Sequence, residues 1–173
     1  LYPSAIIPRK PAGVDFVKRF VELAHQNKIE VYGDMACFGM VEAVNANFVK
    51  ANADAFTRDR DGKADTHMLS PAYPHVRRHK REVLMEYVQN YPLDGLALDF
   101  IRYPFYTADI RGGFGVHGYD EPALKIFRER FGYDSKYLPQ ADDPRWKATK
   151  AEQVNTFIRE VRADLKAAGG NVV

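Results

Sequence analysis

The chain has a single cysteine, Cys37, among its 173 residues. An internal disulfide is therefore excluded, and with no nucleophile signature around it the thiol reads as a packed core group. Tryptophan is as scarce, with Trp146 the only one. No apolar run approaches the length needed to span a bilayer. Nor is either charge sign in surplus. Lys and Arg number 25 against 23 Asp and Glu, a formal charge of +2, which gives no reason to expect nucleic acid or another polyanion as partner. The one dense basic cluster, Arg77-Arg78-His79-Lys80-Arg81, lacks aromatic or glycine-rich interleaving and reads as the solvated face of a helix. No signal peptide is recognisable, and the first residue is Leu1 rather than Met, so composition does not reveal the compartment.

What is present is enough for a core. A hydrophobic fraction of 46% and a charged fraction of 28% are ordinary for a globular domain of this length. The most informative stretch is Asp94-Gly95-Leu96-Ala97-Leu98-Asp99-Phe100-Ile101-Arg102-Tyr103-Pro104. A turn opens it, Pro104 stops it, and Leu96 to Ile101 is an apolar run broken only by Asp99. Apolar residues in both alternating sets predict a strand covered on both faces, as in parallel sheets. Leu96, Leu98 and Phe100 share one face, and Ala97, Asp99 and Ile101 the other. Packed helices would meet the bulkier set, which sends Asp99 to the opposite side, near the strand's C-terminal end. A lone buried carboxylate is costly, and Arg102 is the nearest charge partner. The pair serves either chemistry or the tying of a loop.

Around this strand the pattern alternates between helix and strand. Val14, Val17, Phe20, Val21 and Ala24 predict a helix, followed by a strand from Ile29 to Tyr32 that runs to Gly33-Asp34. A short helix is expected over residues 46–53, and Asp59-Arg60-Asp61-Gly62 reads as a tight turn rather than a calcium loop. Val76, Val83, Leu84, Tyr87 and Val88 predict a helix begun by Pro74 and leading into the Asp94 strand. His75 and His79, four apart on it, lack a third ligand and read as exposed histidines, so no metal is expected. A glycine-rich loop over 111–115 has no phosphate-binding spacing, and no cofactor is expected. Asp120 is an N-cap for a helix with Leu124, Phe127 and Phe131, closed by Gly132. Val154, Phe157, Ile158, Val161 and Leu165 predict the buried stripe of a last helix, with Val172-Val173 beginning another strand. Two central strands cannot close a sheet, so this reading makes residues 1–173 a single segment of something larger.

Several motifs together resemble the glycosyl-hydrolase-like 10 family, bacterial envelope proteins with a TIM-barrel catalytic domain. Asp94, Gly95, Asp99, Arg102, Tyr103 and Pro104 fall on its D-G-x-x-x-D-[FY]-I-R-Y-P pattern. Leu69 to Arg77 is similar to its P-x-x-P-x-V-R helix start, and Tyr2-Pro3-Ser4 to its early Y-P-S. Two departures fall at the mouth. Tyr32-Gly33-Asp34-Met35-Ala36-Cys37 stands where the family reads roughly H-A-W-x-N-P, and Ser70 replaces an Asn or Asp.

The resemblance implies an α/β fold, part of a (β/α)8 TIM barrel that is incomplete as given, with early and late strands missing. It implies a glycoside hydrolase on a cell-wall or exopolysaccharide glycan, in the cell envelope or secreted. Glycoside cleavage needs two carboxyl groups. Asp99 is the first. Asp34 is the candidate second, with a turn role or an acid beyond Val173 as alternatives. Asp94 precedes its strand and belongs to the opposite, stability end. Arg102, Tyr103, Tyr106 and Tyr32 are the candidate substrate-binding residues, although Tyr103 and Tyr106 suit rim packing equally well. Trp146 is either a helix anchor or a sugar platform. A carbohydrate-binding barrel without catalysis and a metal-dependent deacetylase are the other readings. Oligomeric state is not readable.

Overall fold

A computed structural model of the chain describes residues 4–6, 15–39, 46–104 and 116–169. Helix α1 (Phe16–Gln26) is capped by Asp15, whose carboxylate accepts the Lys18 amide at 3.0 Å. It buries Val21 and Ala24 but leaves Phe20 exposed, so its inner face is rotated from the expected stripe. Val14 lies outside the described residues.

Strand β1 (Tyr32–Ala36) starts three residues later than the expected Ile29. The delay has a local cause. Lys28 takes a left-handed conformation (φ 59°), and the Ile29 amide still bonds back to the Ala24 carbonyl at 2.9 Å. Only from Tyr32 is the backbone free to pair. After α2 (Ala46–Ala51) come β2 (Phe56–Arg58) and β3 (Ala64–Leu69), an antiparallel hairpin. Its turn is organised by Asp59, whose Oδ1 accepts the Asp61 and Lys63 amides at 3.0 and 2.8 Å. That is the tight turn expected here.

Helix α3 (Pro74–Asn90) carries the chain to β4 (Gly95–Asp99), which pairs parallel with β1. Asp94 fixes the start of this pairing. Its Oδ2 accepts the Val31 amide at 2.7 Å and lies 2.9 Å from His25 Nε2, joining α1, β1 and β4 at the N-terminal end of the strands. The amide of Val31 holds the Asp94 carboxyl below its usual range, helped by His25. Helices α4 (Glu121–Phe131) and α5 (Pro144–Ala167) complete the chain. Gly132 closes α4 in the left-handed conformation, as its position predicts.

The fold is therefore mixed helix and strand, with a β-α-β crossover between parallel β1 and β4. The described residues do not form a closed barrel. No described helix is long and apolar enough to cross a membrane.

Two buried clusters hold the elements together. One joins Cys37, Phe38, Met68, Leu69, Val76, Leu84 and Phe157 between the strands, α3 and α5. The other joins Tyr119, Leu124, Phe127 and Trp146 between α4 and α5. The inner face of α5 runs through Trp146, Lys150, Gln153, Phe157, Val161 and Leu165, while Ile158 is 41% exposed. Trp146 is fully buried, an anchor of α5 rather than a sugar platform.

The basic cluster of α3 is not a solvated face. Arg77 binds Glu160 at 3.0 Å and Arg81 binds Asp164 at 2.6 Å, both on α5, while His79 and Lys80 turn into the core. Helical spacing explains the division. Val76, Lys80, Val83, Leu84 and Tyr87 follow one face at intervals of three or four residues, and that face is buried.

Candidate functional site

Asp99 ends β4, and alternation sets its direction as expected. Leu96 and Leu98 pack on the main core, whereas Ala97 and Asp99 face outward and are exposed. The alternation then breaks. Phe100 has φ 49°, a conformation uncommon for a residue with a bulky side chain, and both Phe100 and Ile101 pack on the core. The Asp99 carboxylate accepts the Phe100 amide at 2.7 Å across this bend. Two further backbone bonds secure the end of the strand: Cys37 N–H to the Asp99 carbonyl at 2.8 Å, and Phe38 N–H to that of Phe100 at 3.3 Å.

Asp34 lies on the same exposed face. In the parallel register Asp34 is opposite Ala97 and Ala36 is opposite Asp99, so the acids occupy neighbouring strands. Strand spacing and two residues of rise put their Cα atoms about 8 Å apart. Asp34 is therefore in mid-strand, one layer deeper than Asp99 and beside it, not at the strand's end across a mouth.

The other candidates divide. The Arg102 guanidinium lies over the Phe100 ring, 5.0 Å from its centroid, and no ion pair joins it to Asp99 among the described residues. Tyr103 points its hydroxyl into the interior, beside Ser70 and Asp120, and burial pushes that phenol well above its usual range. Tyr32 pairs with Gly95 at the other end of β1, its ring covering that glycine and its hydroxyl donating to Glu30 at 3.0 Å. Tyr32 thus stands two residues before Asp34 on the same exposed face, with its ring turned over Gly95. Tyr106 lies outside the described residues.

Three charged groups near these positions escaped the sequence reading. Lys80, 2% exposed, donates to the Ala36 carbonyl at 3.4 Å, directly behind the position opposite Asp99. Burial lowers its ammonium to about 8 and pushes the neighbouring Cys37 thiol up to about 12, so Cys37 is the inert, packed thiol expected. Asp120 holds the N-cap position of α4, but its side chain is buried rather than displayed to solvent. Lys150 is buried on the inner face of α5. Each lay on an apolar stripe or at a cap, a signal that charge alone obscured.

His79 was expected to be exposed and is instead stacked on Phe48, with ring centroids 4.1 Å apart. Burial, with Lys80 beside it, holds its pKa down at about 4. Between about 4 and 6.5 the unfolded chain binds the extra proton and the folded chain does not. Stability from this group is therefore complete above 6.5 and lost as pH falls toward 4. His79→Phe is expected to flatten that part of the stability–pH curve relative to wild type, measured by urea unfolding at several pH values. Among the described residues no three His, Cys, Asp or Glu side chains gather as a metal site.

The parallel pair thus shows Asp99 at the end of β4 and Asp34 in mid-strand on β1, both on one exposed face. The family model of glycosyl hydrolase-like 10 matches residues 3–173, and the chain belongs to that family. No curated protein matches the chain in a sequence comparison.

Proposed function

We propose that the chain is a glycoside hydrolase acting on a bacterial cell-wall or exopolysaccharide glycan, with Asp99 and Asp34 as its carboxylate pair. The observation that carries this reading is their placement, exposed on one face of adjacent parallel strands about 8 Å apart. Two carboxyl groups on one face of neighbouring strands supply the pair that glycoside cleavage requires. One acid then protonates the leaving oxygen while the other acts as base or nucleophile. Arg102 flanks the site from the segment after Asp99. Tyr103 acts from beneath, as support for the rim.

In this reading β1 and β4 are neighbouring strands of a larger β/α barrel whose other strands cover their outer edges. The setting is the cell envelope or the exterior, with a polysaccharide as partner and no cofactor.

Incubation with purified cell-wall glycan strands and with exopolysaccharide tests the reading. New reducing ends are expected, and proton NMR of the first products reads whether the anomer is inverted or retained. Binding without any new reducing ends would replace the hydrolase with a carbohydrate-binding module. Deacetylation that requires added metal would replace it with a deacetylase.

A further inference from the structure

Among the described residues the Asp99 carboxylate accepts one hydrogen bond, from the adjacent amide, so its position depends on how the backbone is held on either side. Upstream, the β1–β4 ladder holds it. Downstream, the chain runs through Phe100, Ile101 and Arg102 to Tyr103, and here the structure places a second anchor. The Lys150 ammonium lies 5.8 Å from the centroid of the Tyr103 ring and donates to the His117 carbonyl at 3.0 Å. Gly118 passes so close that a Cβ there would lie 2.6 Å from Lys150 Cδ and 3.1 Å from Tyr103 Cε1. Its φ of 98° also disfavours any side chain. Asp120, fully buried, closes the third side. Its Oδ2 accepts Thr57 Oγ1 at 3.4 Å, and the Ser70 hydroxyl and Ala123 amide are also directed at the carboxylate.

We infer that Asp120 and Lys150 are positioning residues for Asp99: with Gly118 they clamp Tyr103 and so fix residues 100–103 against α4 and α5. This rests on the hydrolase reading for its catalytic consequence, but not for its structural one. Two buried charges of opposite sign cost stability at a place where apolar groups would pack, which calls for a purpose beyond cohesion.

Charge state decides when the clamp is complete. Burial raises Asp120 to about 6, and burial lowers Lys150 to about 8, while Asp120 favours the charged lysine. Tyr103 and Tyr73 face Asp120 from the segments after β4 and before α3, with Arg77 of α3 beside Tyr103. Lys147 and His117 flank Lys150, and His117 in turn faces Asp65 and Asp59. Both clamp charges are present together between about pH 6 and 8, and the pair is lost as Asp120 takes up a proton below that range.

Hydrogen exchange of the full chain, followed by mass spectrometry on the peptide covering 99–104, tests this without requiring any activity. Exchange is expected to quicken at least about tenfold in Asp120→Asn and Lys150→Met, with peptides of α1 unchanged. In wild type, protection corrected for intrinsic rates should fall as pH drops through about 6. In Asp120→Asn it should be low and indifferent to pH. Tyr103→Phe, which keeps the ring, serves if a charge variant does not fold, and is expected to show a smaller rise. Where glycan turnover is measurable, kcat should fall about tenfold in the two charge variants with KM unchanged. Unchanged protection of residues 99–104 in the folded variants overturns the clamp. Increased exchange in a protein that cleaves no glycan supports the clamp and overturns the hydrolase reading instead.

Discussion

Asp99→Asn is expected to lower glycan turnover by about 10³-fold or more while leaving the fold intact. The size follows from the removal of a carboxylate that works on the reacting bond, for which losses of about 10²–10⁴ are usual. The fold should survive because Asp99 is exposed and, among the described residues, its carboxylate accepts one hydrogen bond, from the Phe100 amide. An asparagine oxygen accepts that amide equally well, so stability should move by no more than about 0.5 kcal/mol. The loss should fall on kcat with KM nearly unchanged, since the sugar's other contacts remain. Initial rates over a range of glycan concentrations, with urea unfolding of the same preparation, check both halves. Asp34→Asn is expected to impair the same step. A variant of Asp99 that keeps full turnover would remove this residue from the chemistry.

Trp146→Ala should have the largest effect on stability, about 3–5 kcal/mol. The indole is wholly buried, with ring centroids 5.3 Å from Tyr119 and 5.4 Å from Phe127, the latter edge-on. No small residue can fill that space, so a cavity remains where α5 meets α4. Against a total stability of about 5–15 kcal/mol, such a loss leaves a marginal protein. A lower urea midpoint followed by far-ultraviolet circular dichroism is the measurement. Tyr137→Ala, on the open side of the same aromatic group, should cost far less. In wild type the single tryptophan makes indole emission a direct report on the α4–α5 contact.

How far the sequence discloses this arrangement varies with the kind of interaction involved. The outward direction of Asp99 was legible because it depends only on alternation within one strand, and Leu96 and Leu98 do pack on the core. Alternation put Phe100 rightly with Leu96 and Leu98 but misplaced Ile101, because a left-handed residue resets the pattern and nothing in a Phe announces it. The bounds of β1 were misread for a different reason. The left-handed Lys28 and the Ile29 amide's bond back to Ala24 delay the strand's start, and nothing in the apolar residues at 29 and 31 shows this. The turn at Asp59 and the stop at Gly132 were plain, since each rests on local bonding or on one residue's dihedral freedom. Lys80 read as part of a solvated face and Asp120 as a helix cap, and Lys150 was passed over, because charge is ordinarily taken as a sign of exposure. Only the assembled helices show that the stripe was right and the charges buried. Family resemblance supplied what spacing could not, namely which of many acids to attend to.

The bend at Phe100 has one more consequence. Up to Asp99, every second side chain of β4 is shown to the open face; Phe100 and Ile101 then turn two large side chains inward. Position 99 is thus the last slot on this strand from which a reactive group reaches outside. An acid moved one place along would be pressed into hydrocarbon, and one moved a place back would take the inward set held by Leu98. Any descendant of this chain that keeps the bend can change what stands at 99, but it cannot relocate it.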